Sequence, residues 1–171
     1  MQQVKVNIGC GSDILEGWIN CDLMPGPGVD KVFDLTDGIP MPDNSADYIL
    51  ASHVLEHIHL WHLKPMSEMH RVLKPGGIAE IRVPYGHNAE PYHLRFFFPG
   101  SMDYFCGDNM SVIALDSRRK QMFEKVDMRI KRTFWFGWHL KRYMGIKSVH
   151  GKTYSFPIGR KTEIIWKLRK V

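Results

Sequence analysis

Two glycines, two aspartates and a run of histidines are the residues with which this 171-residue chain could do chemistry. Gly9 and Gly11 follow directly on Val4, Val6 and Ile8, the alternating β-formers of one short strand. A strand that runs into Gly-x-Gly turns sharply and bares its backbone, so a flat or charged ligand can approach without meeting a Cβ. In open α/β sheets the crevice at that carboxyl edge takes nucleotide-like ligands. Asp22 and Asp34 end the next two strand-like runs. A carboxylate there accepts short, charge-assisted bonds from ligand hydroxyls or amines. Each aspartate read singly is equally a turn cap; both at strand ends on the glycine edge favour the ligand.

Seven of the nine histidines fall between His53 and His93. An imidazole titrates near neutral pH and so suits removing a proton from an oxygen or nitrogen nucleophile. Candidate bases are His53, Glu56 and His57 after the fourth strand, and Tyr85, His87 and His93 after the fifth; His57 and His93 are preferred. His53, His57, His59 and His62, with Glu56, invite a metal reading, and His53 and His57, four apart, can share a helix face, but His59 falls on another. No metal site is expected from this spacing.

The elements that must position these residues follow in order. Val4–Ile8 reads as a first strand, and Ser12–Gly17 leaves room for barely a helical turn. Trp18–Leu23 and Val29–Leu35 read as the second and third strands, and Pro40–Ser45 is turn chemistry. Ala46–Ser52 is a largely buried fourth strand. A helical segment over His53–Leu73 breaks near Pro65, where a new helix starts, and stops at Lys74-Pro-Gly-Gly77. Ile78–Val83 is a fifth strand. A short helix fits Pro99–Cys106, and Phe123–Phe136 and Thr162–Val171 alternate well enough for two strands. Strands alternating with helices mean an α/β, Rossmann-like, doubly wound and mostly parallel sheet. An antiparallel strand pair near the C-terminus would make Gly137–Gly159 an excursion over one face.

Length predicts a single domain over residues 1–171, with the glycine crevice in its 1–84 half and the antiparallel strands and basic-aromatic excursion in 85–171. No apolar run approaches the ~20 residues of a membrane span. No basic stretch followed by an apolar one marks a signal peptide. Three cysteines without Cys-x-x-Cys spacing suit a reducing cytoplasm. Charge is uneven: up to Gly100 there are seven Lys/Arg against twelve Asp/Glu, and from Ser101 sixteen against six. A basic rear is compatible with nucleic acid or an anionic surface.

With these residues laid out, the chain resembles the class I S-adenosylmethionine-dependent methyltransferases, in particular a small branch with a very short first crossover. The likeness lies in Asn7-Ile-Gly-Cys-Gly11, Gly17-Trp-Ile-Asn-Cys-Asp22, Phe33-Asp-Leu-Thr36, Ile39–Ser45, Ala46–His57 and Glu68–Gly77, and it covers roughly Val4 to Pro84. It implies a methyltransferase using S-adenosyl-L-methionine, with Asp22 on the ribose and Asp34 and the Leu35 amide on adenine. Ile8, Gly9, Cys10 and Gly11 would meet the methionine tail, Leu23 would flank the ribose, and Ser52 and His53 would line the other side. Two departures from the dinucleotide fingerprint stand out: there is no third glycine, and the acid Asp22 comes early, with Asp34 nearer the usual distance. The lack of a proper first helix also removes the N-terminus that would hold a pyrophosphate, which favours a ligand without phosphate.

The acceptor is open at this stage. Arg129–Tyr143 interleaves bases with aromatics, a pattern that can stack nucleobases while neutralising phosphate, rest on an anionic membrane surface, or be an ordinary strand. A small molecule or glycan is the first reading, nucleic acid the second, and a non-catalytic cofactor-binding module the third. Position 52 reads Ser-His-Val-Leu where amino-group methyltransferases acting on adenine or glutamine carry Asn/Asp-Pro-Pro-Tyr/Phe. No cysteine follows a proline as cytosine C5 chemistry would require.

Overall fold

A computed structural model describes residues 2–58, 64–86, 91–107, 121–133, 141–145 and 160–171. Eight strands form one sheet in the order β3-β2-β1-β4-β5-β8-β6-β7. The parallel half comprises β1 (Lys5–Ile8), β2 (Ile19–Asp22), β3 (Lys31–Val32), β4 (Ala46–Ser52) and β5 (Leu73–Pro84). The antiparallel half comprises β6 (Phe123–Thr133), β7 (Lys141–Gly145) and β8 (Arg160–Lys170), with β8 inserted between β5 and β6. The expected doubly wound plan with a C-terminal antiparallel pair is therefore present. The pair carries an extra strand, because Lys141–Gly145 lies beside β6 as β7 instead of passing over a face. The remainder of the 137–159 excursion, and Trp135, Phe136, Trp138 and His139, lie outside the described residues.

Several boundaries differ from the sequence reading. β3 is two residues long, because Asp34 turns the chain at once with its own side chain. The helical segment after β4 is a 3-10 turn at Leu55–His57 followed by α1 at Lys64–Val72, with Pro65 in the first turn as expected. β5 begins at Leu73, straight out of α1, because Leu73 already pairs with Ala46. The short helix over 99–106 is a 3-10 turn (Pro99–Met102) running into α2 (Asp103–Cys106).

The core is built from one face of the central strands. Ala79, Ile81 and Val83 of β5 pair with Leu168, Trp166 and Ile164 of β8, and all six are fully buried. Met66, Met69 and Val72, three residues apart on α1, lie on the same core. The Trp166 indole N–H donates to the Pro99 carbonyl at 3.3 Å, so its one polar atom is satisfied.

In place of a first helix, the crossover from β1 to β2 is held by two buried asparagines. Asn7 donates from Nδ2 to the Asp13 carbonyl (2.9 Å) and to Asn20 Oδ1 (3.1 Å). Asn20 in turn binds both backbone groups of Leu15, accepting from its N–H and donating to its carbonyl, each at 3.0 Å. These bonds give the loop the partners that helical bonds would otherwise supply. They also set where the Gly9–Gly11 bend sits against the end of β2.

Candidate functional site

At the carboxyl end of β1 the chain bends through Gly9 (φ +65°) and Gly11 (φ +49°), both in the left-handed region that favours glycine. The two are needed for different reasons. A Cβ on Gly9 would stand 2.3 Å from Cγ2 of Val54, so the position allows close packing on the turn after β4. A Cβ on Gly11 would meet no protein atom within 4 Å, and Gly11 borders a cavity. The open side of the bend is thus free for a ligand.

That cavity, about 390 Å³, opens at the carboxyl edge of the parallel strands, the place where such sheets bind ligands. One wall holds Ile8, Gly9, Gly11, Asp22 and Leu23, and a second holds Asp34 and Leu35 with Phe33 and Thr36. The far side is His53, Val54, His57 and Ile58 with Leu94 from the later chain. Of the ten residues given a cofactor role and the two preferred bases, nine share one cavity: Ile8, Gly9, Gly11, Asp22, Leu23, Asp34, Leu35, His53 and His57. Three stand back from it. Cys10 is buried and enters only through the backbone of the bend, its N–H donating to the Cys21 carbonyl at 3.0 Å. Ser52 ends β4 opposite Arg82 in β5. His93 lies behind His57, their rings edge to face with centroids 4.8 Å apart.

The two aspartates are capping residues and wall residues at once. Asp22 accepts from the Gly11 amide at 2.7 Å through Oδ2 and from the Met24 amide at 3.0 Å through Oδ1. Each oxygen keeps a second lone pair facing an exposed edge. Asp34 accepts from both the hydroxyl and the amide of Thr36 at 2.7 Å through a single oxygen, Oδ1. These bonds hold its carboxyl below the usual carboxylate range. The following loop is pinned by Arg71 of α1, whose guanidinium donates to the Ile39 and Met41 carbonyls and to Glu68 and Asp43. Glu68 completes the clasp by accepting from the Ile39 amide at 2.9 Å.

His53 also adopts a left-handed backbone (φ +57°), unusual for a residue with a Cβ. Its amide is fixed to the Arg82 carbonyl at 2.8 Å. Both ring nitrogens face carboxylates, Nε2 to Glu163 at 3.0 Å and Nδ1 to Glu56 at 3.2 Å. Bonds to Glu163 first and Glu56 second raise its pKa to about 9, so it is an imidazolium at neutral pH and not a base. Burial works against the charge of Glu163, but His53 and Lys131 more than offset it and keep that carboxyl ionised. His57 differs: its Nδ1 meets the Tyr92 carbonyl at 3.2 Å. A carbonyl only accepts, so in the neutral ring Nδ1 carries the proton and Nε2 keeps its lone pair.

Sequence reasoning missed Cys21, Phe33, Thr36, Val54, Ile58 and Leu94 in the wall. Phe33 and Thr36 flank Asp34, and Val54 and Ile58 flank His57, so proximity to a named residue could have suggested them. Leu94 carried no signal, because the contact that brings it in is long-range: its amide donates to the Glu56 carbonyl at 2.8 Å. Of the other candidate bases, Glu56 is fully buried, and His87, like His59 and His62, lies outside the described residues. Among the described residues no helix is long and apolar enough to cross a membrane.

Residues 9–81 match a family model described as "Methyltransferase domain". Over 81 residues the chain is 33% identical to a protein of Aspergillus luteorubrus called probable methyltransferase ltbC; that match covers 46% of this chain. It spans only 26% of that curated relative, about a quarter of its length. In structure the chain is similar to a Thermotoga maritima protein described as an S-adenosylmethionine-dependent methyltransferase and possible histamine N-methyltransferase. The TM-score is 0.62 at 15% identity, covering 100% of this chain and 83% of the other. It is also similar to the 1,6-didemethyltoxoflavin-N1-methyltransferase of Burkholderia thailandensis. That structure holds 1,6-didemethyltoxoflavin and S-adenosylhomocysteine, and the TM-score is 0.59 at 15% identity, covering 98% of this chain and 70% of the other. These structural likenesses show a shared fold.

Proposed function

We propose, on the premise that this chain carries a methyltransferase domain of the class I S-adenosylmethionine-dependent type, that it transfers a methyl group from S-adenosylmethionine to a small-molecule or glycan acceptor. The observation that carries the proposal is the convergence on one cavity of the Gly9–Gly11 bend, the Asp22 carboxylate and the Asp34–Leu35 turn. The residues present fit an adenosyl ligand. The walls are largely apolar, the open side of Gly11 admits a close backbone approach, and two carboxylates stand on separate walls.

Bound there, S-adenosylmethionine supplies an electrophilic methyl on a sulfonium. Asp22 would hold the ribose hydroxyls through the lone pairs that Gly11 and Met24 leave unused, in charge-assisted bonds. Asp34 would accept from the adenine amine and the Leu35 amide would donate to a ring nitrogen. Ile8, Gly9 and Gly11 would border the methionine tail, and the His53 imidazolium would face its carboxylate. The apolar wall of Val54, Ile58 and Leu94 would keep water from the reacting end. Alignment and exclusion of water carry most of an in-line displacement; positioning alone is worth roughly 7–11 kcal/mol. His57, which lines the cavity and whose Nδ1 is turned to the Tyr92 carbonyl, is the base we assign to the acceptor's proton, and His93 is its neighbour.

The small-molecule or glycan reading is kept ahead of nucleic acid because the basic-aromatic stretch Arg129–Tyr143, where it is described (129–133 and 141–143), forms ladder strands β6 and β7, the ordinary-strand reading of that pattern. The test is calorimetry with S-adenosylhomocysteine followed by methyl-release turnover against a panel of hydroxyl, amine and glycan acceptors. Stoichiometric binding with turnover on any of them supports the reading. Binding without turnover on any acceptor, nucleic acids included, would leave a cofactor-holding module. Absence of binding removes the proposal.

A further inference from the structure

A cluster beside the cavity does not follow from methyl transfer and was invisible in the histidine spacing. Glu56 and His57 are adjacent in the 3-10 turn after β4, and His93 comes from a segment more than thirty residues later. The amides of Leu94 and Arg95 both donate to the Glu56 carbonyl, at 2.8 and 3.2 Å, and this docks the later segment on the turn. As a result one oxygen of Glu56 and one ring nitrogen each of His57 and His93 lie within 4.8 Å of one another. Zinc holds such atoms at ~2.0–2.2 Å, so an ion between them would draw the three side chains inward.

Two further observations point to a cation. Glu56 is fully buried, and its Oε2 finds no hydrogen-bond partner among the described residues, while Oε1 faces His53. A buried carboxylate oxygen without a partner is costly, and a metal ion is one of the few things that offset it. His57 is already oriented as a ligand, because its Nδ1–H is directed to the Tyr92 carbonyl, which leaves Nε2 as the donor atom. Fixing the second ring nitrogen on a backbone carbonyl is the usual support of a metal-bound histidine.

We infer that Glu56, His57 and His93 form a binding site for a divalent transition metal of the zinc class, with two imidazoles, one carboxylate and at least one open position. This ligand set suits zinc and its neighbours more than magnesium or calcium, which prefer all-oxygen shells. Because His57 also borders the cavity, the ion would stand at its edge, where an acceptor oxygen or nitrogen could occupy the open position. With the metal bound, His57 is a ligand and no longer a base.

The test uses the full chain stripped with chelator. Zn²⁺ binding is followed by calorimetry and elemental analysis, and Co²⁺ by its visible absorption. We expect one equivalent of Zn²⁺, a tetrahedral-type Co²⁺ spectrum, and at least ten-fold weaker binding in His57→Ala and in His93→Ala. Glu56→Gln keeps the shape of the buried side chain and covers the case in which an alanine variant melts early; it too should weaken binding at least ten-fold. Failure of the wild type to take up stoichiometric Zn²⁺ overturns the inference. So does wild-type affinity in both His57→Ala and His93→Ala, which would assign the ion to other histidines. S-adenosylhomocysteine affinity measured on the stripped wild-type protein reports the methyl-donor pocket separately, so the two readings can fail independently.

Discussion

The amide of Gly11 donates to Oδ2 of Asp22 at 2.7 Å, joining the bend after β1 to the end of β2. One carboxylate thus holds the glycine loop in shape and presents its remaining lone pairs to the cavity. The aspartate is a cap and a ligand group together, so its replacement should reach both roles.

Asp22→Ala is expected to weaken S-adenosylhomocysteine binding by roughly 1.5–3 kcal/mol, the value of a hydrogen bond to a charged group, or about ten- to a hundred-fold in Kd. Isothermal calorimetry measures it. An unchanged Kd would remove Asp22 from the pocket.

The two glycines should separate stability from binding. In Gly9→Ala the new methyl collides with Val54 at 2.3 Å in a left-handed backbone, so the midpoint of denaturant unfolding should fall clearly. In Gly11→Ala the methyl meets no protein atom, so only the left-handed strain of roughly 1–2 kcal/mol remains, while ligand affinity drops because the methyl occupies the open side of the bend. Equal loss of stability with unchanged affinity in Gly11→Ala would contradict this division.

His53 sets a pH window. Its pKa is raised in the folded protein to about 9, against 6.5 ordinarily, by Glu163 and Glu56. A raised value means the charged ring stabilises the fold fully below about pH 6.5. The contribution shrinks between there and about 9 and is gone above it. The difference in melting temperature between wild type and His53→Gln should therefore be largest in mildly acidic buffer and vanish in alkaline buffer. A His53 imidazole resonance titrating near 6.5 by NMR would refute the double carboxylate clasp.

Asn20→Ala should cost about 1–3 kcal/mol in chemical denaturation, since it strips partners from the buried Asn7 amide and from both backbone groups of Leu15. Asp30, whose carboxylate accepts from the Asn20 amide at 2.6 Å, is unaffected in that variant because the bond is to the backbone. Stability equal to wild type would mean that the crossover does not depend on the asparagine pair.

The parallel half of the sheet and most of the cavity wall were legible in the residues because they are local. Alternation at Val4, Val6 and Ile8, the bend at Gly9 and Gly11, and aspartates closing β2 and β3 each declare themselves within a few residues, and parallel order then brings successive strand ends to one edge. Composition and spacing also carried the stop after α1 and the antiparallel character of the last strands. What only the tertiary structure decided depends on contacts across long stretches of chain. Glu163 reaches His53 from β8 and turns a candidate base into a cation. The 91–95 segment docks on Glu56, which puts Leu94 in the wall and His93 beside His57. Such pairings leave no period in the sequence, because they join residues whose positions follow from how the sheet closes and not from their neighbours in the chain.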